Sequence, residues 1–149
     1  MNKPPIHVLL ADDDEDDRMI FKDALEEIKL KIKVTMVTDG IELMDYLEQD
    51  EIELPSIVFL DLNMPRKGGI ECLQEIRSDK KLKDLTIAIY STSASEADIE
   101  DTFIKGANIY IIKPNEYPQL VKILQEVITI NLQYHNSNLN RENFVLKIL

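Results

Sequence analysis

Acidic side chains stand where two apolar segments of the chain end. The run Asp12–Asp17 directly follows the apolar segment Ile6–Ala11, and Asp61 ends a second segment, Ser56–Asp61. Carboxylates at the ends of neighbouring parallel strands would lie close together, and because like charges repel, each would resist ionising. A divalent cation removes that conflict, and oxygen-only ligands favour a hard ion such as Mg²⁺. The pattern predicts an acidic metal pocket at the carboxyl edge of a sheet.

Asp61 is the candidate nucleophile of this pocket. A carboxylate can attack phosphorus and form an aspartyl phosphate if the charge on the equatorial oxygens is neutralised. Mg²⁺ held by Asp13, Asp61 and the backbone carbonyl of Asn63 would supply part of that neutralisation. Lys113 and Ser91 end two later apolar segments. We expect them to supply an ammonium and a hydroxyl to the phosphoryl oxygens, because a lysine closing a buried strand needs an anion beside it.

Apolar strand-like segments alternate with segments of helical periodicity along the chain. The predicted strands are Ile6–Ala11, Ile32–Val37, Ser56–Asp61, Thr86–Ser91 and Asn108–Ile112. The predicted helices are Asp16–Lys29, one beginning near Gly40, Ile70–Ser78, Ala94–Lys105 and Glu116–Tyr134. This alternation predicts an α/β fold, a flavodoxin-like, doubly wound, five-stranded parallel sheet of order 2-1-3-4-5. Strands 1 and 3 are neighbours in that order, which is the condition for the acidic pocket.

The chain of 149 residues is predicted to form one domain over residues 1–134, with residues 135–149 as a C-terminal extension. Its net charge of −11 argues against nonspecific binding to nucleic acid or to anionic membranes, which needs a basic surface. The lone cysteine, Cys72, excludes an internal disulfide, and its helical context favours a buried thiol. Without a visible secretion signal or an apolar run of membrane-spanning length, we expect a cytoplasmic location.

Taken singly, each site residue has a plainer interpretation. Asp61 could be a turn residue, Ser91 a helix cap, and Lys113 an exposed surface lysine. Asp14–Asp17 are better explained as the start of the first helix, with Asp14 as the cap and the other acids complementing the helix dipole. The joint pattern at successive strand ends is much more specific than any one member of it.

Four segments together resemble the receiver domain of two-component response regulators: Val8–Asp14, Phe59–Pro65, Ile89–Ser93 and Ile112–Pro114. The resemblance covers residues 6–134. It implies that Asp61 accepts a phosphoryl group from a phosphohistidine on a sensor histidine kinase or a histidine phosphotransfer protein.

The resemblance also implies roles for the other site residues. Asp13 would bind Mg²⁺ directly, and Asp12 would act mainly through water. Ser91 would be the switch hydroxyl, Lys113 the phosphate-binding lysine, and Tyr110 the aromatic that turns inward on phosphorylation. A cis peptide bond before Pro114 is implied as well.

The sequence from Met64 to Gly69, the basic connector Arg77–Lys83 and the triplet Ser91–Ser93 resemble single-domain regulators that pair with phytochrome-type kinases. No second domain with a DNA-binding or catalytic output is visible, so the expected output is contact with an unidentified downstream protein. Some members of this group dimerise. The extension 135–149 could support a homodimer or could fold back on its own domain, and both interpretations stay open.

Two alternative functions differ in their requirements. A haloacid-dehalogenase-like phosphatase also uses a strand-end aspartate and Mg²⁺, but it needs a second acid two residues later, where this chain has Asn63. A degenerate receiver acting as a constitutive binding module would usually lack one of the reactive residues. This chain retains Asp12, Asp13, Asp61 and Lys113.

Overall fold

The computed structural model describes residues 4–133 and 145–146. Its strands are β1 (Ile6–Ala11), β2 (Ile32–Val37), β3 (Ile57–Leu60), β4 (Ile87–Ser91), β5 (Ile109–Ile112) and β6 (Val145–Leu146). Its helices are α1 (Glu15–Glu26), α2 (Gly40–Leu47), α3 (Gly69–Ser78), α4 (Glu96–Ile104) and α5 (Tyr117–Gln133). The predicted boundaries of domain and extension at 134/135 lie outside the described residues. Among those described, no helix is both long and apolar enough to cross a membrane.

The strands form one parallel sheet of order β2-β1-β3-β4-β5-β6. The predicted five-stranded order is therefore confirmed, and β1 and β3 are neighbours with Ala11 opposite Leu60. The central strands are buried on both faces, as their nearly continuous apolar sequences predict. This arrangement puts the carboxyl ends of β1, β3, β4 and β5 at the same edge of the sheet.

Two apolar layers cover the sheet. Helices α2, α3 and α4 pack on one face, where Leu43, Leu73 and Ile99 belong to one core cluster. Helices α1 and α5 pack on the other face, where Phe21 and Leu124 belong to the second cluster. Each layer buries the apolar side of its helices and leaves their polar sides in water.

Cys72 lies in the first of these layers. Its side chain is fully buried, and its Sγ is 3.6 Å from the carbonyl oxygen of Gly40. Burial raises the pKa of the thiol to about 11. The expected buried cysteine is confirmed.

Helix α1 begins as the acidic run predicts but ends earlier than the periodicity predicts. The carboxylate of Asp14 accepts a hydrogen bond from the backbone N–H of Asp17 at 2.9 Å, which is the expected cap. The predicted end was Lys29, whereas the helix ends at Glu26. The N–H groups of Glu27 and Ile28 bond to carbonyls three residues back, and Ile28 stays buried. The apolar pattern thus continues past the end of the helix.

Strand β6 was not predicted, and it lies at the edge of the sheet beside β5. It pairs with β5, Tyr110 opposite Val145 and Ile111 opposite Leu146. The units β1–α1–β2 and β5–α5–β6 place their helices on the same face of the sheet. In the strand order, however, β2 lies on one side of β1 and β6 lies on the opposite side of β5. The two crossovers therefore have opposite hands. Since such connections are almost always right-handed, as β1–α1–β2 is, β5–α5–β6 is a left-handed crossover.

Candidate phosphoacceptor site

The four strand ends bring the predicted site residues together. Asp12 directly follows β1, Asp61 directly follows β3, Ser91 ends β4 and Lys113 directly follows β5. The backbone pairing extends to these residues: the N–H of Asp61 donates to Ala11 O at 3.0 Å, and that of Lys113 donates to Ser91 O at 2.8 Å. The register of the sheet therefore fixes where each side chain begins.

Asp12, Asp13 and Asp61 form a group of three carboxylates. Each contributes an oxygen, and these oxygens all lie within 4.8 Å of one another. Asp12 is fully buried and Asp13 is exposed at the rim. An all-oxygen set of this size and charge has the chemistry of a ligand set for a hard divalent cation.

Asp61 is buried and has an unusual protonation equilibrium. Burial is the main cause that raises its pKa to about 6, and the charge of Asp12 acts in the same direction. The charge of Lys113 and the hydrogen bonds from Asn63 and Lys113 oppose the shift. A cation placed among these carboxylates would favour the ionised form of Asp61, which is the nucleophilic form.

Lys113 contacts three carboxylates at once. Its Nζ is 2.8 Å from an oxygen of Asp12, 2.9 Å from one of Asp17 and 3.4 Å from one of Asp61. Burial alone would lower the pKa of Lys113, but the hydrogen bonds to Asp12 and Asp17 and the charge of Asp61 outweigh it and raise the pKa. The ammonium is therefore a fixed positive charge beside Asp61.

An aromatic group lies beneath that ammonium. Lys113 Nζ is 5.0 Å from the ring centroid of Tyr90, which adds a cation–π attraction. The rings of Phe21, Phe59 and Tyr90 pack edge-to-face with centroids 5.0 to 6.4 Å apart. These rings exclude water from below the site and leave its open side at the strand ends.

Ser91 and Tyr110 meet at the loop between β4 and α4. The hydroxyl of Ser91 accepts a hydrogen bond from the N–H of Ser93 at 3.2 Å. Tyr110 is fully buried, and its hydroxyl donates to the carbonyl of Ser93 at 2.8 Å. Ser93 in turn donates from its hydroxyl to Asp98, in the first turn of α4. The aromatic ring thus lies inward and is connected to the loop that carries the hydroxyl.

The loop after β3 is held by close backbone contacts. The N–H of Asn63 lies 3.4 Å from Asp61 Oδ1, and Asn63 is exposed. A Cβ added at Gly69 would lie 2.3 Å from the carbonyl oxygen of Asp61, so only glycine fits there. Arg66 has a left-handed φ of 65° and pairs through its guanidinium with Asp39, the cap of α2. The loop between Asp61 and Gly69 is therefore held by the close approach of Gly69 to Asp61 and by the pairing of Arg66 with Asp39.

Asp17 is a site residue that sequence reasoning missed. Its contact with Lys113 was not expected, because an acidic residue in the first turn of a helix is already explained by the helix dipole. The expectation of a cis peptide bond was wrong: none occurs in the described residues, and the Lys113–Pro114 bond is trans.

Comparison with known proteins agrees with this geometry. Residues 8–125 match the response regulator receiver domain family. The response regulator Rcp1 of Synechocystis is 28% identical over 130 residues, which cover 85% of this chain and 88% of Rcp1.

Two solved structures are similar to this chain over most of its length. The phosphorylated cyanobacterial phytochrome response regulator RcpA has a TM-score of 0.80 and 33% identity, with 87% of this chain and 95% of RcpA covered. The Mn²⁺-bound form of Rcp1 has a TM-score of 0.76 and 26% identity, with 91% and 99% covered. The predicted resemblance to single-domain, phytochrome-associated regulators is confirmed.

The family match covers more than half of the chain and reaches into all five predicted β–α units. It contradicts a haloacid-dehalogenase-like phosphatase and indicates a signalling protein rather than a metabolic enzyme. This chain belongs to the response regulator receiver domain family, whose members act as phosphoacceptors in two-component signalling.

Proposed function

We propose that Asp61 is the phosphoacceptor and that it takes its phosphoryl group from a phosphohistidine on a sensor histidine kinase or a histidine phosphotransfer protein. The observation that carries the proposal is the convergence of Asp12, Asp13, Asp61 and Lys113 at one sheet edge, with the ammonium 3.4 Å from Asp61. The same convergence is the reason to expect a working receiver rather than a degenerate one.

In the transfer step, a carboxylate oxygen of Asp61 forms a bond to phosphorus as the bond from phosphorus to the histidine nitrogen breaks. The nitrogen leaves with its electron pair and takes up a proton. Lys113 donates hydrogen bonds to phosphoryl oxygens and neutralises part of their charge. Hydrolysis by water returns Asp61 to its free form, so the chain catalyses only its own phosphorylation and dephosphorylation.

Mg²⁺ is the proposed cofactor. Asp12, Asp13, Asp61 and the backbone carbonyl of Asn63 are the groups that would hold it, with Asp12 acting mainly through water. The ion would neutralise charge on the transferring phosphoryl group. The Mn²⁺-bound form of Rcp1 supports a divalent ion in a similar protein, and the all-oxygen ligand set supports Mg²⁺ here.

Phosphorylation would be transmitted through Ser91 and Tyr110. A hydroxyl drawn to the phosphoryl group would give up its bond from the N–H of Ser93. The loop between β4 and α4, whose Ser93 carbonyl accepts a hydrogen bond from Tyr110, would shift with it. This is a two-state repacking that the phosphoryl group biases. The output is contact with a downstream protein; direct DNA binding and membrane binding are not part of this proposal, and a cytoplasmic location remains a prediction.

Incubating the protein with acetyl phosphate and Mg²⁺ tests the function. We expect a stoichiometric mass increase of one phosphoryl group that is base-labile, absent in Asp61→Asn and retained in the matched control Asp14→Asn. Lack of any modification in the wild type would instead indicate a degenerate binding module. Multiple turnover of diverse phosphate esters would contradict the proposal.

A second copy of this chain is a further proposed partner. The left-handed β5–α5–β6 crossover is rare in proteins, and a β6 strand supplied by a second copy would keep the pairing with β5 without that crossover. Sedimentation of the full chain against a variant lacking residues 135–149 tests this. We expect the deletion to lower the dimer population, and an unchanged mass distribution would show that the extension is not the dimer contact.

A further inference from the structure

Lys113 has one carboxylate partner that the phosphotransfer chemistry does not use. An ammonium has three N–H donors, and the three carboxylates of Asp12, Asp17 and Asp61 are within reach of them. Asp12 and Asp61 also belong to the group of three carboxylates, whereas Asp17 does not. The carboxylate of Asp17 therefore faces Lys113 rather than the metal pocket.

The start of α1 explains why Asp17 is available. Asp17 is the third residue of the helix after its cap, a position from which an acidic side chain often bonds back to the N–H of the cap residue. Here that N–H, on Asp14, donates to Asp12 Oδ1 at 3.0 Å. Because Asp12 satisfies the cap, the carboxylate of Asp17 extends to Lys113 at 2.9 Å.

The other two partners change during the proposed reaction, and Asp17 does not. One oxygen of Asp61 becomes bonded to phosphorus in an acyl phosphate, and Asp12 would be engaged by the metal. Both changes weaken their hold on Lys113. The side chain of Asp17 is 37% exposed at the rim and takes part in neither step.

We propose that Asp17 is a positioning residue that holds the ammonium of Lys113 at the phosphoryl-binding edge while Asp12 and Asp61 take part in metal binding and phosphotransfer. This inference rests on the proposed function. With Asp17 neutralised, the charged partners left to Lys113 among residues 4–133 are Asp12 and Asp61, the same carboxylates that the metal needs.

The test is a double-mutant cycle on the rate of phosphorylation by acetyl phosphate and Mg²⁺. We expect Asp17→Asn to slow the reaction about three- to fivefold, the upper range for a partly exposed ion pair. In a Lys113→Gln background the same substitution should have no further effect, because Asp17 acts through Lys113. Asp17→Glu retains a carboxylate on a longer side chain and should restore part of the rate.

Asp16→Asn is the matched control. Asp16 is exposed and lies in the same helical turn as Asp17. Its substitution removes the same charge and the same interaction with the helix dipole. The inference is overturned if Asp17→Asn is phosphorylated as fast as Asp16→Asn or faster. It is also overturned if Asp17→Asn slows the reaction equally with Lys113 present and in the Lys113→Gln background. Absence of phosphorylation in the wild type would instead overturn the proposed function, so the two failures are distinguishable.

Discussion

Two cations lie at opposite edges of the same sheet, and their partners differ in kind. Lys113 at the carboxyl edge contacts three carboxylates. Arg77 at the amino edge donates to the carbonyl oxygens of Lys83, Leu85 and Gly106 and to the side-chain oxygen of Asn108, at 2.7 to 2.9 Å. Burial lowers the pKa of Arg77, whereas the carboxylates raise that of Lys113.

The difference separates a reactive region from a structural one. The partners of Lys113 can bind a metal, become phosphorylated or take up a proton, so the electrostatics of that edge change with ligand and pH. The hydrogen-bond partners of Arg77 are carbonyl and amide oxygens, which stay neutral under all these conditions. Arg77 therefore joins α3 to the segments before β4 and β5. It holds the amino ends of the two strands whose carboxyl ends carry Ser91 and Lys113.

The largest expected effect comes from Lys113→Ala. Without the ammonium, buried Asp12 and Asp61 face each other unpaired, and breaking a buried ion pair in this way costs about 3 to 5 kcal/mol in a metal-free buffer. We expect Mg²⁺ binding to persist and to restore much of the free energy of unfolding, while phosphorylation-dependent signalling is mostly lost. Urea unfolding with EDTA or Mg²⁺ measures the first effect, and exposed Lys122→Ala is the control. Unchanged signalling would contradict the role given to Lys113.

Arg77→Ala should have a smaller effect, and one without ligand dependence. Removing the guanidinium takes a donor away from four oxygens, of which the Asn108 oxygen keeps its bond from the N–H of Ile87. We expect this loss to lower the free energy of unfolding by about 2 to 3 kcal/mol. Arg77→Lys should restore little, because one ammonium cannot reproduce a planar fork of donors. The loss should be the same with EDTA and with Mg²⁺; a loss that Mg²⁺ reverses would remove the contrast between the two edges.

The pH dependence gives the smallest expected effect. The pKa of Asp61 is about 6 in the folded protein and 3.8 for a free aspartate, the value expected in the unfolded chain. Between about pH 4 and 6 the folded state therefore binds more protons than the unfolded state. The contribution of Asp61 to stability is therefore present at low pH and is lost as the pH rises from about 4 to about 6. The loss is on the order of 1 to 3 kcal/mol without metal.

Asp61→Asn isolates this contribution. In EDTA the variant should be more stable than the wild type at pH 7.5, and the difference should vanish near pH 4. Arg77→Lys should leave the pH profile unchanged in shape, since the groups that accept hydrogen bonds from Arg77 are not ionisable. If the stability of the wild type changed between pH 4 and 6 by the same amount as that of Asp61→Asn, Asp61 would not be the group responsible.

The sequence allowed the reactive edge to be predicted because polar residues follow apolar strands at visible points. Asp12, Asp61, Ser91 and Lys113 each interrupt or end an apolar run, and the strand order then brings them together. Which of their predicted roles each residue performs stays a prediction until phosphorylation is measured.

Other features could not be predicted, each for a physical reason. Asp17 already had a sufficient explanation as an acid in the first turn of a helix. Arg77 was assigned to a basic connector, because backbone carbonyl acceptors occur at every residue and cannot be recognised from the amino-acid sequence. Strand β6 is two residues long, too short for an alternating pattern, and its pairing with β5 is set by tertiary contact.

The buried thiol of Cys72 has a practical consequence for measuring the switch. A fully buried sulfur with a pKa of about 11 carries almost no thiolate at neutral pH, and alkylating probes react with the thiolate. A new cysteine at exposed Ala97 on α4 would therefore take a spin label or a fluorophore selectively, with the native residue left in place. A single substitution thus prepares the protein for spectroscopy of a label beside the loop between β4 and α4.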